Sequence, residues 1–135
     1  MEVAMFTDGG SRGNPGPAAI GVIIKNSKKE IIHKIGKYIG VGTNNDAEYK
    51  ALIEGLSFLI DLKHIQVNCY LDSELVVKQL NGLYKVKNQN IKIYWNKIKV
   101  LEKNFKHITY QHITRDKNWE ADELVNQVLD SATYK

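Results

Sequence analysis

The chain has 135 residues, 43% of them hydrophobic and 25% charged, which is the length of one domain and the balance of an ordinary globule rather than a disordered, collagen-like or membrane chain. No apolar run approaches the roughly 18 residues that cross a bilayer, and an acidic Glu2 directly ahead of an apolar run is unlike a secretory leader; the expectation is one domain over residues 1–135, cytoplasmic, monomeric and without membrane contact. A single cysteine, Cys69, excludes an internal disulfide and any multi-cysteine zinc site, so stability has to come from packing.

Val3 to Thr7 is a short apolar run that leads into Asp8 and the breaker-rich stretch Gly9-Gly10-Ser11-Arg12-Gly13-Asn14-Pro15-Gly16-Pro17, which predicts a buried strand followed by a rigid loop. Ala18 to Lys25 and Ile31 to Ile39 are β-branched runs around Asn26-Ser27-Lys28-Lys29-Glu30 and read as an antiparallel hairpin. After Gly40 to Thr43 the spacing of Leu52, Leu56, Leu59 and Leu62 predicts the longest helix over 44–62, capped by Asn44 or Asn45. Gln66 to Leu71 reads as a fourth strand, and Leu75, Val76, Gln79 and Leu80 as a short amphipathic helix stopped at Asn81-Gly82. Ile91 to Glu102 reads as a basic helix, His107 to Ile113 as a fifth strand and Trp119 to Ala132 as a last helix. The order β-β-β-α-β-α-α-β-α predicts an α/β fold, a mixed sheet with helices on both faces.

The net charge of +4 is unevenly spread. From Lys78 to Lys106 there are eight lysines and one acid, a local charge of +7, whereas the remainder carries −3. That stretch reads either as a solvated lysine face or as the footprint of a polyanion.

Four acids stand where acids are costly. Asp8 and Asp72 each follow an apolar run; if their strands are parallel neighbours, both carboxylates emerge at the sheet edge where α/β folds place their sites. Asp72 could instead cap a helix, and Asp8 could bond the glycine turn. Glu48 shares a helical column with Leu52, Gly55, Leu59 and Leu62, beside the stripe that faces the sheet, where a carboxylate needs a partner or a cation; Asn45 and Glu48 also have the spacing of a capping box. Asp122 shares a column with Val125 and Leu129, and as a first-turn acid it also suits the helix dipole. Taken together, four acids near two strand ends and two helix starts can converge, and convergent acids repel unless cations lie between them. Hard oxygen ligands suit Mg²⁺ or Mn²⁺, and two such ions about 4 Å apart support phosphodiester hydrolysis.

Thr7-Asp8-Gly9-Gly10-Ser11-Arg12-Gly13-Asn14-Pro15-Gly16-Pro17-Ala18, Thr43-Asn44-Asn45-Asp46-Ala47-Glu48-Tyr49, Asp72-Ser73 and Asn118-x-x-Ala121-Asp122-x-Leu124 together resemble type 1 ribonuclease H, in order along nearly the whole chain. The resemblance implies a ribonuclease H-like fold with a five-stranded sheet ordered 3-2-1-4-5. It also implies endonucleolytic hydrolysis of the RNA strand of RNA/DNA hybrids, leaving 5′-phosphate and 3′-hydroxyl ends, with two Mg²⁺ ions or Mn²⁺ in their place. The family's acids fall on Asp8, Glu48, Asp72 and Asp122. On that pattern Asp8 bridges both ions, Asp72 and Asp122 serve the ion that holds the water, and Glu48 serves the ion near the leaving oxygen. Gly10, Ser11, Asn14, Asn44 and Glu48 would lie along the RNA strand, with Arg12 and Asn45 beside them, and Asn14 with Thr43 would hold a phosphate of the DNA strand.

Two departures from the longer family members stand out. The basic protrusion after the fourth-strand helix is missing, as in the compact archaeal and bacterial branch, so the grip on the hybrid falls to Tyr84, Lys85, Lys87 and Lys92. The loop that carries a proton-shuttling histidine is shortened to Thr114-Arg115-Asp116-Lys117, and Arg115 is favoured over His112 as the side chain that meets the scissile phosphate. His33, His64 and His107 show no ligand spacing. Two rivals share the fold: a hybrid-binding module with weak turnover, which should lack a metal ligand, and a DNA-directed nuclease, which should lack the Gly-Ser-Arg-Gly-Asn-Pro-Gly loop. Both features are retained here.

Overall fold

The computed structural model describes residues 2–63 and 66–133, so His64 lies outside the described residues. Strands β1 (Glu2–Ser11), β2 (Gly16–Lys25) and β3 (Ile31–Gly42) form an antiparallel meander. Helix α1 (Asn44–Asp61) leads to β4 (Gln66–Leu71), then come α2 (Glu74–Leu80), α3 (Gln89–Glu102) and β5 (His107–His112), and a 3₁₀ turn (Arg115–Asn118) opens into α4 (Trp119–Thr133). The sheet order is β3-β2-β1-β4-β5, as the resemblance implies; β4 runs parallel to both β1 and β5. Among the described residues no helix is long and apolar enough to cross a membrane.

Alternation along the strands sends Met5, Val22, Val67, Cys69 and Leu71 to one face, where they pack with Leu52, Leu56 and Leu59 of α1 and with Val76, Leu80 and Ile98 of α2 and α3. Each fully buried leucine there contributes about 1.5–3 kcal/mol through removal from water. The opposite face is covered by α4, whose Val125 and Leu129 close on Ala19. Helices therefore lie on both faces, and Cys69 is a buried core residue.

Three departures from the sequence expectation shape the site. Strand β1 does not stop at Asp8 but runs on through Gly9, Gly10 and Ser11, because these residues pair with β2 from Asp8↔Gly21 to Ser11↔Ala18. Strand β3 continues to Gly42, which pairs with Gly16. The cap of α1 is neither Asn44 nor Asn45: the Thr43 hydroxyl accepts the Asp46 N–H, and the Asp46 carboxylate accepts the Thr43 N–H, both at 3.0 Å. A reciprocal box of this kind satisfies two backbone donors. With Asp46 in that role, Glu48 is left out of the capping.

Candidate active site

Although β1 continues past Asp8, its parallel ladder with β4 ends at Thr7↔Leu71. Asp8 and Asp72 are the next residues on each strand, so they emerge together where the two strands part. Two glycines let helices reach this point. A Cβ on Gly9 would lie 2.2 Å from the backbone carbon of Ala47, and one on Gly21 would lie 2.5 Å from the carbonyl oxygen of Ala121. The bare backbone therefore admits the start of α1 against β1 and the start of α4 against β2, which delivers Glu48 and Asp122 to Asp8 from the two helices.

Asp8 is 2% exposed and Glu48 6%; Asp72 and Asp122 are half-buried. One carboxylate oxygen from each of Asp8, Glu48 and Asp72 falls within 4.8 Å of the others, and Asp122 interacts directly with Asp8. Burial, reinforced by the charge of Asp72, pushes the Asp8 carboxyl up to about 7. Burial, followed by the charges of Asp8 and Asp72, holds Glu48 well above the usual carboxylate range, against a partial offset from the Gly9 backbone N–H. Asp8 Oδ1 and Glu48 Oε2 are buried with no hydrogen-bond partner. None of the ion pairs among the described residues includes any of the four acids. Orphaned buried oxygens on converging acids without a basic partner fit a hard divalent cation.

A cavity of about 450 Å³ is lined by all four acids together with Gly10, Ser11, Arg12, Asn44, Asn45 and Arg115. It adjoins a groove of about 610 Å³ that shares Asn44 and Asn45 and adds Asn14, Thr43, Lys85 and Lys87. Beyond it, Tyr84, Lys85 and Lys92 line a third hollow of about 330 Å³. The loop residues are locked to the helix start: the Ser11 N–H donates to Asn44 Oδ1 at 2.8 Å, and the Asn44 N–H donates to Asn14 Oδ1 at 2.9 Å. Arg12 pairs with Asp130 of α4 at 2.6 Å, on the rim of the cavity. His112 sits in the β5 ladder opposite Leu71 and is not among the residues lining the cavity, whereas Arg115 is.

Sequence reasoning assigned no role to two polar residues, one that lines these cavities and one bonded to an acid of the cluster. Gln79 lines both the second and third hollows; its side-chain oxygen accepts the Tyr49 hydroxyl at 2.7 Å and its carbonyl accepts the Trp95 indole N–H at 3.1 Å. Its signal was a glutamine inside the apolar stripe of α2. Asn118, 1% exposed, donates its amide to Asp72 and to the Thr7 carbonyl; its only sequence signal is its place at the head of the Asn118-x-x-Ala121-Asp122 motif.

A 3-2-1-4-5 sheet whose parallel central strands deliver acids to one cleft defines the ribonuclease H-like class of folds. The family model described as "Reverse transcriptase-like" matches residues 6–128. A mycobacterial relative, "Bifunctional protein Rv2228c" of Mycobacterium tuberculosis, is 38% identical over 133 residues, 98% of this chain and 36% of its own. Ribonuclease HI of Halobacterium salinarum is 37% identical over 130 residues, 96% of this chain and 65% of its own. A crystal structure of RNase H1 from that archaeon superposes with a TM-score of 0.94 at 36% identity, covering 97% of this chain and 99% of the other. The structure of LC11-RNase H1 in complex with RNA/DNA hybrid gives 0.93 at 43% identity, with the same coverage. The chain thus spans about a third of the mycobacterial relative and just under two thirds of the archaeal one. It belongs to the type 1 ribonuclease H family.

Proposed function

We propose that residues 1–135 act as one catalytic domain, an endonuclease that hydrolyses the RNA strand of RNA/DNA hybrids and leaves 5′-phosphate and 3′-hydroxyl ends. The observation that carries this reading is the set of orphaned carboxylate oxygens on Asp8 and Glu48, at the head of a cavity that opens into a lysine-lined groove. The hybrid bound by the LC11 enzyme, 43% identical, supports the choice of substrate. Asp8, Glu48, Asp72 and Asp122 would hold two Mg²⁺ ions, with Mn²⁺ as a substitute. Bound there, the ions supply an activated water and stabilisation of the leaving oxygen.

The chain's own residues do the rest. Asn14 and Asn44 spend their side-chain oxygens on the helix start and on Ser11, and both line the groove, so their amide N–H groups would be available to a bound strand. A 2′-hydroxyl both donates and accepts, and fixed amides beside Glu48 suit it. Arg115, on the cavity wall, places a permanent cation where the scissile phosphate would lie, and Lys85 and Lys87 neutralise phosphates along the groove. In this reading the domain acts as a monomer in the cytoplasm.

A labelled-strand assay tests the reading. RNA should be cut within a hybrid, while RNA duplex and DNA duplex survive, and chelation should abolish cutting. Comparable cleavage of DNA, or activity undiminished by chelator, would sink it; tight hybrid binding without turnover would mark a binding module instead.

The groove carries its own expectation. Changing Lys85, Lys87 and Lys92 together to alanine should raise the Michaelis constant and flatten its salt dependence, by up to about 0.9 log unit per log unit of salt for each lost phosphate contact. The turnover number should change little. Wild-type affinity with an unchanged salt slope would return these lysines to a solvated face.

A further inference from the structure

We infer that Asn118 is a positioning residue for Asp72, holding one oxygen of that carboxylate so that the other is presented to the cation. This rests on the cation-binding reading of the cluster.

Asn118 closes the 3₁₀ turn and is 1% exposed. Its Nδ2 donates to the Thr7 carbonyl at 2.9 Å and to Asp72 Oδ2 at 3.1 Å. Thr7 is the last residue of β1 paired with β4, and Asp72 is the first residue after β4, so one amide spans the point where the strands part. Among the described residues no ion pair includes Asp72, and its carboxylate accepts a side-chain hydrogen bond from Asn118. Without that bond the carboxylate is free to rotate.

The chemistry of the donor matters. A lysine or arginine would orient Asp72 equally well, but its charge would cancel the field that attracts the cation. A neutral amide makes a charge-assisted bond to one oxygen and leaves the negative charge in place. Asn118 also accepts a cost that packing alone does not explain: its own Oδ1 is buried with no partner, where an apolar side chain of similar size would bury no orphan. The same residue stands four positions before Asp122, so it anchors the start of the helix that carries a second acid of the cluster. Partners that orient metal ligands typically govern affinity by 10- to 100-fold.

The test is calorimetric titration of the hybrid-free protein with Mn²⁺, alongside melting temperatures in chelator. Two variants are compared with wild type: Asn118→Ala, which removes the amide, and Asn118→Leu, which keeps the branched shape without its polar atoms. Both should bind Mn²⁺ about 10- to 100-fold more weakly. Turnover at saturating hybrid should recover as the metal concentration is raised, with the hybrid KM unchanged. If either folded variant melts earlier yet binds Mn²⁺ like wild type, Asn118 merely fastens the turn and the inference falls. Should the wild type itself bind no Mn²⁺, the cation reading fails first and takes the inference with it.

Discussion

Asp8→Asn is expected to lower turnover by about 10³-fold or more while leaving hybrid binding intact and making the metal-free protein more stable. The loss follows from the position of Asp8 at the centre of the cluster, within reach of Glu48, Asp72 and Asp122. Divalent-ion catalysis contributes several kcal/mol to phosphodiester hydrolysis, and each 1.36 kcal/mol is about tenfold in rate. The gain in stability has a separate cause. Asp8 is 2% exposed and is pushed up to about 7 by burial and by the charge of Asp72. Above that pH the folded, metal-free protein holds a buried charge that repels its neighbours. Asparagine has nearly the same shape and no charge, so about 1–3 kcal/mol should return at alkaline pH. The variant should therefore melt higher than wild type in chelator and bind a labelled hybrid with wild-type affinity. An active variant removes Asp8 from the chemistry; an inactive variant that melts lower than wild type would mean that the carboxylate supports the fold.

Much of this arrangement was legible before the structure. Apolar runs and periodicity located the five strands and four α-helices, since an apolar stripe at 2.0 or 3.6 residues has a single core to face, whereas the 3₁₀ turn at Arg115–Asn118 read only as a loop. The acids stood out because Asp8 and Asp72 end apolar runs and Glu48 shares a column with buried leucines, positions where a solvated carboxylate is unexpected. What misled was glycine. Gly9 and Gly10 read as a turn, yet they lie within β1, paired to β2, and Gly9 is bare so that Ala47 can touch the strand. A local reading cannot tell a glycine that bends the chain from one that admits a neighbour. The α1 cap was misplaced for a related reason. Asn44 is a good capping residue, but its side chain is spent on Ser11, 33 positions away, and Thr43 caps instead. Asn118 was hidden most deeply, because its partner Thr7 is 111 positions distant and no spacing rule reaches that far.

The same buried acids predict how metal and pH act together on stability. In the folded, metal-free protein Asp8 keeps its proton up to about 7, against an ordinary value of 3.8, and Glu48 is raised as well. Between those limits the folded state binds more protons than the unfolded chain, so stability falls as pH rises through the window and levels off above it. A displacement of about three units corresponds to at most about 4 kcal/mol. Divalent cations reverse the effect, because they bind the deprotonated carboxylates and compete with protons for them. At about pH 5 the ion has to displace a proton and should stabilise little; near pH 8 it relieves exposed repulsion and should raise the melting temperature by about 10 °C. Melting curves with Mg²⁺ and with chelator across that range read the difference directly, and in Asp8→Asn the pH dependence should shrink to the share that burial of Glu48 retains. An ion-induced shift of the same size at both ends of the range would mean that the cation binds away from Asp8 and Glu48, because only acids with raised pKa values make its stabilising effect grow with pH in this interval.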